Sequence, residues 1–522
     1  MRPRPEYPGG PWLVVGLARS GVAAALALRA RGEEVIGVDA GAGAGAEALA
    51  RAGVEVHQGQ AGVAVREGQA GVEVREGQAG VEVREAGEGV RQAKGRVSPH
   101  AGAEGVALLE RVRAVLKSPG VPAEAPVIAA ARARGVPVLG ELELAWRMLD
   151  NEFIAVTGTN GKTTTVELIG HIHREAGLPV AVAGNVGAAL SGLVGRIDER
   201  VTVVCEASSF QLEDTLAFAP EAAVLLNVTP DHLDRHGTFA TYQAAKLEIF
   251  ARQGNDDIAV VPTTLCEGGA RLAVEDLGGC ARRVCFGVGA GAALSLSAGE
   301  LWWEERPLLG VREIRLRGRH NLENAMAAAA VCLARGVDTD AVRAGLRSFA
   351  GVKHRLEEVA RRDGVVYVND SKATNVASTV VALDALAQSF FNDGDAADAS
   401  LDPWTVNDLA GQAETASAGK TAIHAIMGGQ GKGQDFSALC DPVRRTCRAV
   451  YLIGEDAPML AQALNGVDVT VYECGELERA VARAREVAGA GDVVLLSPAC
   501  ASFDQFADFE ARGERFRELV LG

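Results

Sequence analysis

Gly158-Thr159-Asn160-Gly161-Lys162-Thr163-Thr164 combines the residue types that hold a polyanion. Its glycines free backbone N–H groups to face phosphate oxygens, Lys162 adds a positive charge, and the Thr163 hydroxyl is placed to reach Mg2+. That is an ATP site in outline, although Val156 stands where the usual nucleotide-binding pattern has its first glycine. Glu206 closes the apolar run 201–205 and reads as a metal ligand or a base, with a helix cap as the plain alternative. Asp231, His232, Asp234 and His236 fall within six residues and are poor material for a core. His232 is the best metal-ligand candidate among them, since imidazole and carboxylate both suit Mg2+ or Mn2+ in a mixed site. His236 equally suits a solvated loop. Lys246 stands in the middle of a helical face made by Phe239, Tyr242, Ile249 and Phe250. Either it snorkels its ammonium out to water, or it is a partly buried lysine whose amine is readily deprotonated and available for chemistry.

Other candidates lie at strand ends elsewhere in the chain. Gly16-Leu17-Ala18-Arg19-Ser20-Gly21 follows an apolar run, and Asp39 closes the next strand about 20 residues on. This resembles a dinucleotide fingerprint, but Ala18 replaces the glycine that lets backbone approach a pyrophosphate. A diphosphate ligand other than NAD is the better reading. Ser118, Pro119 and Gly120 form a tight loop after the strand 114–117, and Gly140-Glu141 joins a strand to a helix. Asn321 and Asn324 share one face of an Ala-rich helix, where two amides suit a purine edge. In the last third, Asp370, Lys372 and Thr374 follow the strand 365–369, the loop 428–432 offers glycines and Lys432, and the segment 497–506 carries Ser502 and Phe503. Cys500 lacks a local His to activate it and is not read as a nucleophile.

The elements that must position these residues read as alternating strands and helices. The chain of 522 residues exceeds one core. The pattern predicts an α/β protein of three domains: a Rossmann-like domain at 1–150, a central P-loop ATPase-like parallel-sheet domain at 151–350, and a second Rossmann-like domain at 351–522. Two stretches interrupt it. Residues 59–85 hold three copies of a nine-residue unit, Gly-Gln-Ala-Gly-Val-Glu-Val-Arg-Glu, with Ala64 replacing Glu in the first. Three such units cannot bury a solenoid core, so the region around 50–95 reads as an insertion without a catalytic role. Residues about 388–419 are polar, aperiodic and read as a second insertion.

A net charge of −16 argues against a general nucleic-acid binder. No membrane span or leader is evident, and a cytoplasmic monomer is expected. Nine scattered cysteines without a C-x-x-C pair read as idle thiols, with neither disulfides nor zinc expected.

Taken together, 158–164, Asn185, Glu206, His232, Lys246, Asn321, Asn324, His354-Arg355, Asp370-Ser371-Lys372, 428–432 and 497–506 resemble the Mur ligases, three-domain ATP-dependent amide-forming enzymes of peptidoglycan precursor synthesis. Within that family, 369–375 and 497–502 look like the members that add D-glutamate. The Asp-Asn-Pro-Arg motif of the diaminopimelate- or lysine-adding members is absent. The resemblance implies phosphorylation of the carboxylate of UDP-N-acetylmuramoyl-L-alanine by ATP and attack of the D-glutamate amine on the acyl phosphate. It implies that Lys162 holds the β- and γ-phosphates, that Thr163 and Glu206 bind one Mg2+, and that His232 with a carbamylated Lys246 binds a second. Asn185 would orient substrate and γ-phosphate. Asn321, Asn324, Arg355 and Asp370 would hold the nucleoside. Arg19, Ser20, Asp39, Ser118 and Gly120 would hold UDP, while Lys372, Thr374, Lys432, Ser502 and Phe503 would grip D-glutamate. The rivals are another Mur ligase or a folylpolyglutamate-type ligase with a different acceptor, and a catalytically silent nucleotide-binding regulator. The regulator predicts loss at Lys162, Glu206, His232 or Lys246, yet all four are present.

Overall fold

The computed structural model describes residues 3–39, 45–58, 103–185, 188–266, 277–288, 291–316, 319–391, 423–431 and 434–522. The nine-residue repeat, Lys432 and most of the second expected insertion lie outside them. The chain packs as two compact units, the first made of 1–162, 178–260 and 268–283 and the second of 163–177, 261–267 and 284–522. Among the described residues no helix is long and apolar enough to cross a membrane.

In the first unit, the N-terminal sheet runs Glu55–Gln58, Val35–Asp39, Trp12–Val15, Ala114–Lys117, Val138–Gly140, all parallel. Trp12–Val15 and Ala114–Lys117 are buried along their whole length. Such strands read as continuous apolar runs because helices cover both faces of a parallel sheet. Strand order reverses at Trp12–Val15, which opens a crevice beyond its carboxyl end and that of Ala114–Lys117. Residues 55–58, inside the stretch read as an insertion, are a strand of this sheet.

A second parallel sheet in the same unit runs Val180–Gly184, Thr202–Glu206, Phe153–Thr157, Ala222–Leu225, Ile258–Pro262, the last strand's final two residues belonging to the second unit. Val156 is paired with Glu206 on one side and Val224 on the other. The three strand ends are therefore level, and the loops that leave them emerge together.

In the second unit, Leu294–Ser297, Glu300–Trp303 and Arg306–Gly310 form an antiparallel ribbon. The C-terminal sheet runs Glu357–Arg362, Val365–Asn369, Val493–Leu496, Ile423–Gly428, Cys447–Ile453, Thr470–Gly475, with the first pair antiparallel and the rest parallel. Its core packs Leu383, Ile423, Val450, Leu452, Leu460 and Leu495 on one face and Tyr451, Leu477, Val494 and Phe516 on the other. The helix Val376–Phe391 runs into the first residues of the second expected insertion. Among the described residues seven cysteines are free thiols, but Cys285 is disulfide-bonded, which corrects the expectation of none. Spacing along the chain does not reveal which thiols folding brings within bonding distance.

Candidate active site

The strand Phe153–Thr157 delivers the chain into the glycine loop, and the helix Lys162–Glu175 leaves it. Gly158 has φ +154°, and a Cβ there would stand 3.0 Å from Leu226 Cβ. A side chain would push the loop away from the neighbouring strand end. Asn227, beyond that strand, fixes the loop from the side. Its Oδ1 accepts from Asn160 N at 2.9 Å, its Nδ2 donates to Asn160 O at 3.1 Å, and its carbonyl accepts from Thr159 N at 3.0 Å. Tyr242 reaches Thr159 from the helix Phe239–Leu247, with its hydroxyl 3.1 Å from Thr159 Oγ1. Neither residue was singled out for this in the sequence. An amide ending a buried strand beside a phosphate loop is the signal for Asn227; Tyr242 gives none beyond its helical face.

Two amines converge on this loop. Lys162 Nζ donates to Gly158 O at 2.9 Å and to Thr159 O at 3.0 Å, and Lys246 Nζ donates to the same Gly158 O at 2.8 Å. Lys246 is 2% exposed and its ammonium lies 4.5 Å from the Tyr242 ring centroid. The snorkelling alternative therefore fails. Burial, reinforced by the charge of Lys162 and opposed by Asp231 and Glu206, pulls the Lys246 pKa down to about 7.

Glu206 is buried, and its Oε1 accepts from Asn185 Nδ2 at 3.0 Å. Gly184, at φ +121°, makes this approach possible, because a Cβ there would stand 2.5 Å from Glu206 O. Glu206 is not the helix cap. Ser208 caps Ser209–Leu212 in a reciprocal box with Gln211, which leaves the Glu206 carboxylate to the site. His232 adopts φ 50° and remains half-exposed, its ring 5.0 Å from that of Phe210. His236 is no solvated loop residue. It stacks on Phe210 at 5.2 Å, bonds Ser209 Oγ at 3.0 Å, and burial lowers its pKa.

Arg235, between the two histidines, was also missed by the sequence reading. Its guanidinium lies 4.1 Å from the Phe210 centroid, and it donates to Pro119 O at 3.0 Å and to Val121 O and Glu213 Oε1 at 3.2 Å. The loop it grips walls a cavity of about 290 Å³ that also takes in Gly16, Ala18, Arg19, Ser20, Ser118, Gly120, Asn185 and Gln211. Gly21 lets the first helix pack there, since a Cβ would stand 1.9 Å from Gly16 O. Asp39 accepts from Leu17 N and fixes the turn of the fingerprint. Arg19, Ser20, Ser118 and Gly120 thus share one cavity, and Asn185 links it to Glu206.

In the second unit, Asn324 Nδ2 lies 3.4 Å from Asn321 Oδ1 on the helix Arg319–Ala334. Arg355 is near enough to add to the lowering of the His320 pKa, which burial mainly causes. Asp370 is buried, accepts from Ser497 Oγ at 2.8 Å and Leu356 N at 3.2 Å, and is pushed up to about 7 by desolvation. Arg355 and Lys372 both act on it, and Lys372 Nζ stands 3.5 Å from Thr163 Oγ1. Thr374 N donates to Lys372 O, Ser502 is buried, and Phe503 is exposed. Lys432 lies outside the described residues.

Among the described residues no three imidazole, thiol or carboxylate side chains gather as a closed metal cage. Within the first unit, the buried carboxylate of Glu206 fits an oxygen-preferring divalent ion that also takes ligands from phosphate, and the imidazole of His232 suits a mixed set.

Residues 156–332 match the Mur ligase middle domain and 406–500 the Mur ligase glutamate ligase domain. The chain is 37% identical over 524 residues to a UDP-N-acetylmuramoylalanine--D-glutamate ligase of Pelotomaculum thermopropionicum, covering 98% of this chain and 97% of that one. It is 42% identical over 425 residues to the enzyme of the same name from Anaeromyxobacter dehalogenans, covering 78% and 83%. In fold it is similar to the solved UDP-N-acetylmuramate-alanine ligase of Thermotoga maritima, with a TM-score of 0.53 and 17% identity across 98% of this chain and 99% of that one. Matching domains in the middle and C-terminal thirds and near-full-length relatives agree: the chain belongs to the Mur ligase family, whose members are ATP-dependent ligases.

Proposed function

We propose that this protein joins D-glutamate to UDP-N-acetylmuramoyl-L-alanine at the expense of ATP, as a cytoplasmic monomer in peptidoglycan precursor synthesis. The observation that carries the reading is the convergence of Lys162 and buried Lys246 on the Gly158 carbonyl, beside Glu206 and Asp231. A plain nucleotide-binding loop needs the first lysine. The second, desolvated until its amine is neutral near pH 7, suits a ligase that recruits it as an anionic metal ligand after CO2 addition.

We assign domain boundaries near 150 and 350, and roles follow from position. The cavity at Arg19, Ser20, Ser118 and Gly120 takes the uridine diphosphate part, with Asp39 holding the turn. Asn185 stands between that cavity and Glu206 and is suited to place the substrate carboxylate toward the γ-phosphate. Backbone N–H groups of 158–164 and Lys162 hold the phosphates. Thr163, Glu206, His232 and Lys246 would hold two Mg2+ ions, which neutralise phosphate charge when bound. Asn321, Asn324, Arg355 and Asp370 serve the nucleoside, and Lys372, Thr374, Lys432, Ser502 and Phe503 the acceptor.

A carboxylate is a poor electrophile. Attack of its oxygen on the γ-phosphorus expels ADP and turns that oxygen into part of a phosphate leaving group. The D-glutamate amine then adds to the carbonyl, loses its proton, and inorganic phosphate departs. The protein's contribution is positioning and charge neutralisation. The test is a mass-spectrometric product assay with UDP-N-acetylmuramoyl-L-alanine, ATP, and D-glutamate, meso-diaminopimelate or L-alanine as acceptor. Product with D-glutamate alone is expected. Product with another acceptor and none with D-glutamate overturns the assignment.

A further inference from the structure

Arg512, on the helix Phe509–Leu521, is 1% exposed. Taking a guanidinium out of water is costly, and a carboxylate partner usually offsets that cost. Here the acceptors it bonds are neutral. Nε donates to Ser371 Oγ at 2.9 Å, and Nη2 donates to Ser371 O at 2.9 Å and Cys500 O at 3.1 Å. Nη1 is buried and has no hydrogen-bond partner among the described residues. It faces Gly429, where a Cβ would stand 3.2 Å from Nη1 and 2.2 Å from Ala501 O, so the absence of a side chain lets that loop lie against the cation. Desolvation lowers the Arg512 pKa to about 10, which leaves it charged at neutral pH.

One buried cation thus touches the loops leaving three adjacent strands, Val365–Asn369, Val493–Leu496 and Ile423–Gly428. The first loop carries Lys372 and Thr374, and the second carries Ser502 and Phe503. A neutral side chain with two donors would bridge Ser371 and Cys500 with one hydrogen bond fewer. The charge therefore calls for its own explanation. In a low-dielectric interior a cation whose hydrogen-bond partners are all neutral projects a positive potential onto the loops around it, which the Asp504 carboxylate reduces at longer range without bonding the guanidinium.

We propose that Arg512 is a positioning and specificity-determining residue for the acceptor amino acid. It fixes the spacing of the two loops and makes their mouth electropositive, so that an acceptor with a second carboxylate is preferred. The inference rests on the ligase reading above and deepens it.

The test uses the full-length protein and the variants Arg512→Lys, Arg512→Gln and Arg512→Met, with KM measured separately for D-glutamate, ATP and the UDP precursor. Gln and Met are expected to raise the D-glutamate KM by about 10-fold or more, with the other two KM values within about twofold of wild type. Lys, which keeps the charge but not the fork, should fall between wild type and Gln. A uniform rise in all three KM values, or a D-glutamate KM no better for Lys than for Gln, overturns the proposal. Thermal melts identify any variant that fails to fold. In that event Arg512→Lys alone decides, by whether its D-glutamate KM rises while the other two hold. Absence of D-glutamate product in the wild type would instead count against the ligase reading.

Discussion

Lys246 experiences two opposed influences. Burial and the neighbouring Lys162 favour its neutral amine, while Asp231 and Glu206 favour the ammonium, and the first pair wins. Its ordinary pKa is 10.5 and its folded value about 7, so between those limits the unfolded chain keeps a proton that the folded chain has released. On this group's account stability rises with pH across that window, and below about 7 the penalty for burying the charge is constant. Lys246→Met, which cannot be charged, should therefore melt higher than wild type at pH 6 in chelated, CO2-free buffer. The gain should be of the order of 1–3 kcal/mol, since lost contacts offset part of the shift, and should shrink toward pH 10. Activity should move the other way. Lys246→Ala should lose activity by about 10³-fold, with partial recovery on adding acetate, as expected if a carboxylate belongs at that place. A folded variant that acetate leaves inactive would argue against the carbamate.

At the scale of elements, the site depends on how loops are tied to one another. The loop 158–164 is held closed by Asn227 and Tyr242, and Gly158 takes a conformation that a side chain disfavours. Gly158→Ala should weaken ATP binding by about 10-fold or more, read by calorimetry, and cost about 1–3 kcal/mol in stability. Arg235 links the His232 loop to the rim of the cavity lined by Arg19 and Ser118 through two carbonyls and the face of Phe210. Arg235→Ala should raise the KM for the UDP precursor by roughly 10- to 100-fold, because two charge-assisted hydrogen bonds are lost. The D-glutamate KM should hardly change. Equal effects on both would show that Arg235 merely supports the fold.

Among the described residues, the sheets present many of their predicted residues in loops beyond the carboxyl ends of parallel strands, the place where open α/β sheets bind ligands, while Lys246, Asn321 and Asn324 stand on helices. The nine-residue repeat begins after the strand Glu55–Gln58 has closed the edge of the N-terminal sheet. Deleting the three copies, residues 59–85, should leave specific activity within about twofold of wild type, since units with two valines each cannot build a core of their own. A large loss of activity with the fold intact would give the repeat a role that its sequence does not suggest.

The sequence by itself determined the class of fold, the glycine loop between a strand and a helix, and the acid at the end of a later strand, Glu206. These depend on local patterns: apolar runs buried on both faces, glycines at a strand end, a lysine opening a helix. It also supplied the family, because several such motifs recur in one order along the chain. What it left open required neighbours distant in the chain. Lys246 read equally well as a snorkelling side chain until packing placed its amine on the Gly158 carbonyl, 88 residues away in sequence. Glu206 was a possible cap until Ser208 was seen to cap the helix instead. Asn227, Arg235 and Arg512 reach loops remote in sequence only because strand register and helix packing bring them there. The sign of a burial effect and the reach of a side chain are properties of the assembled core, and no spacing along the chain encodes them.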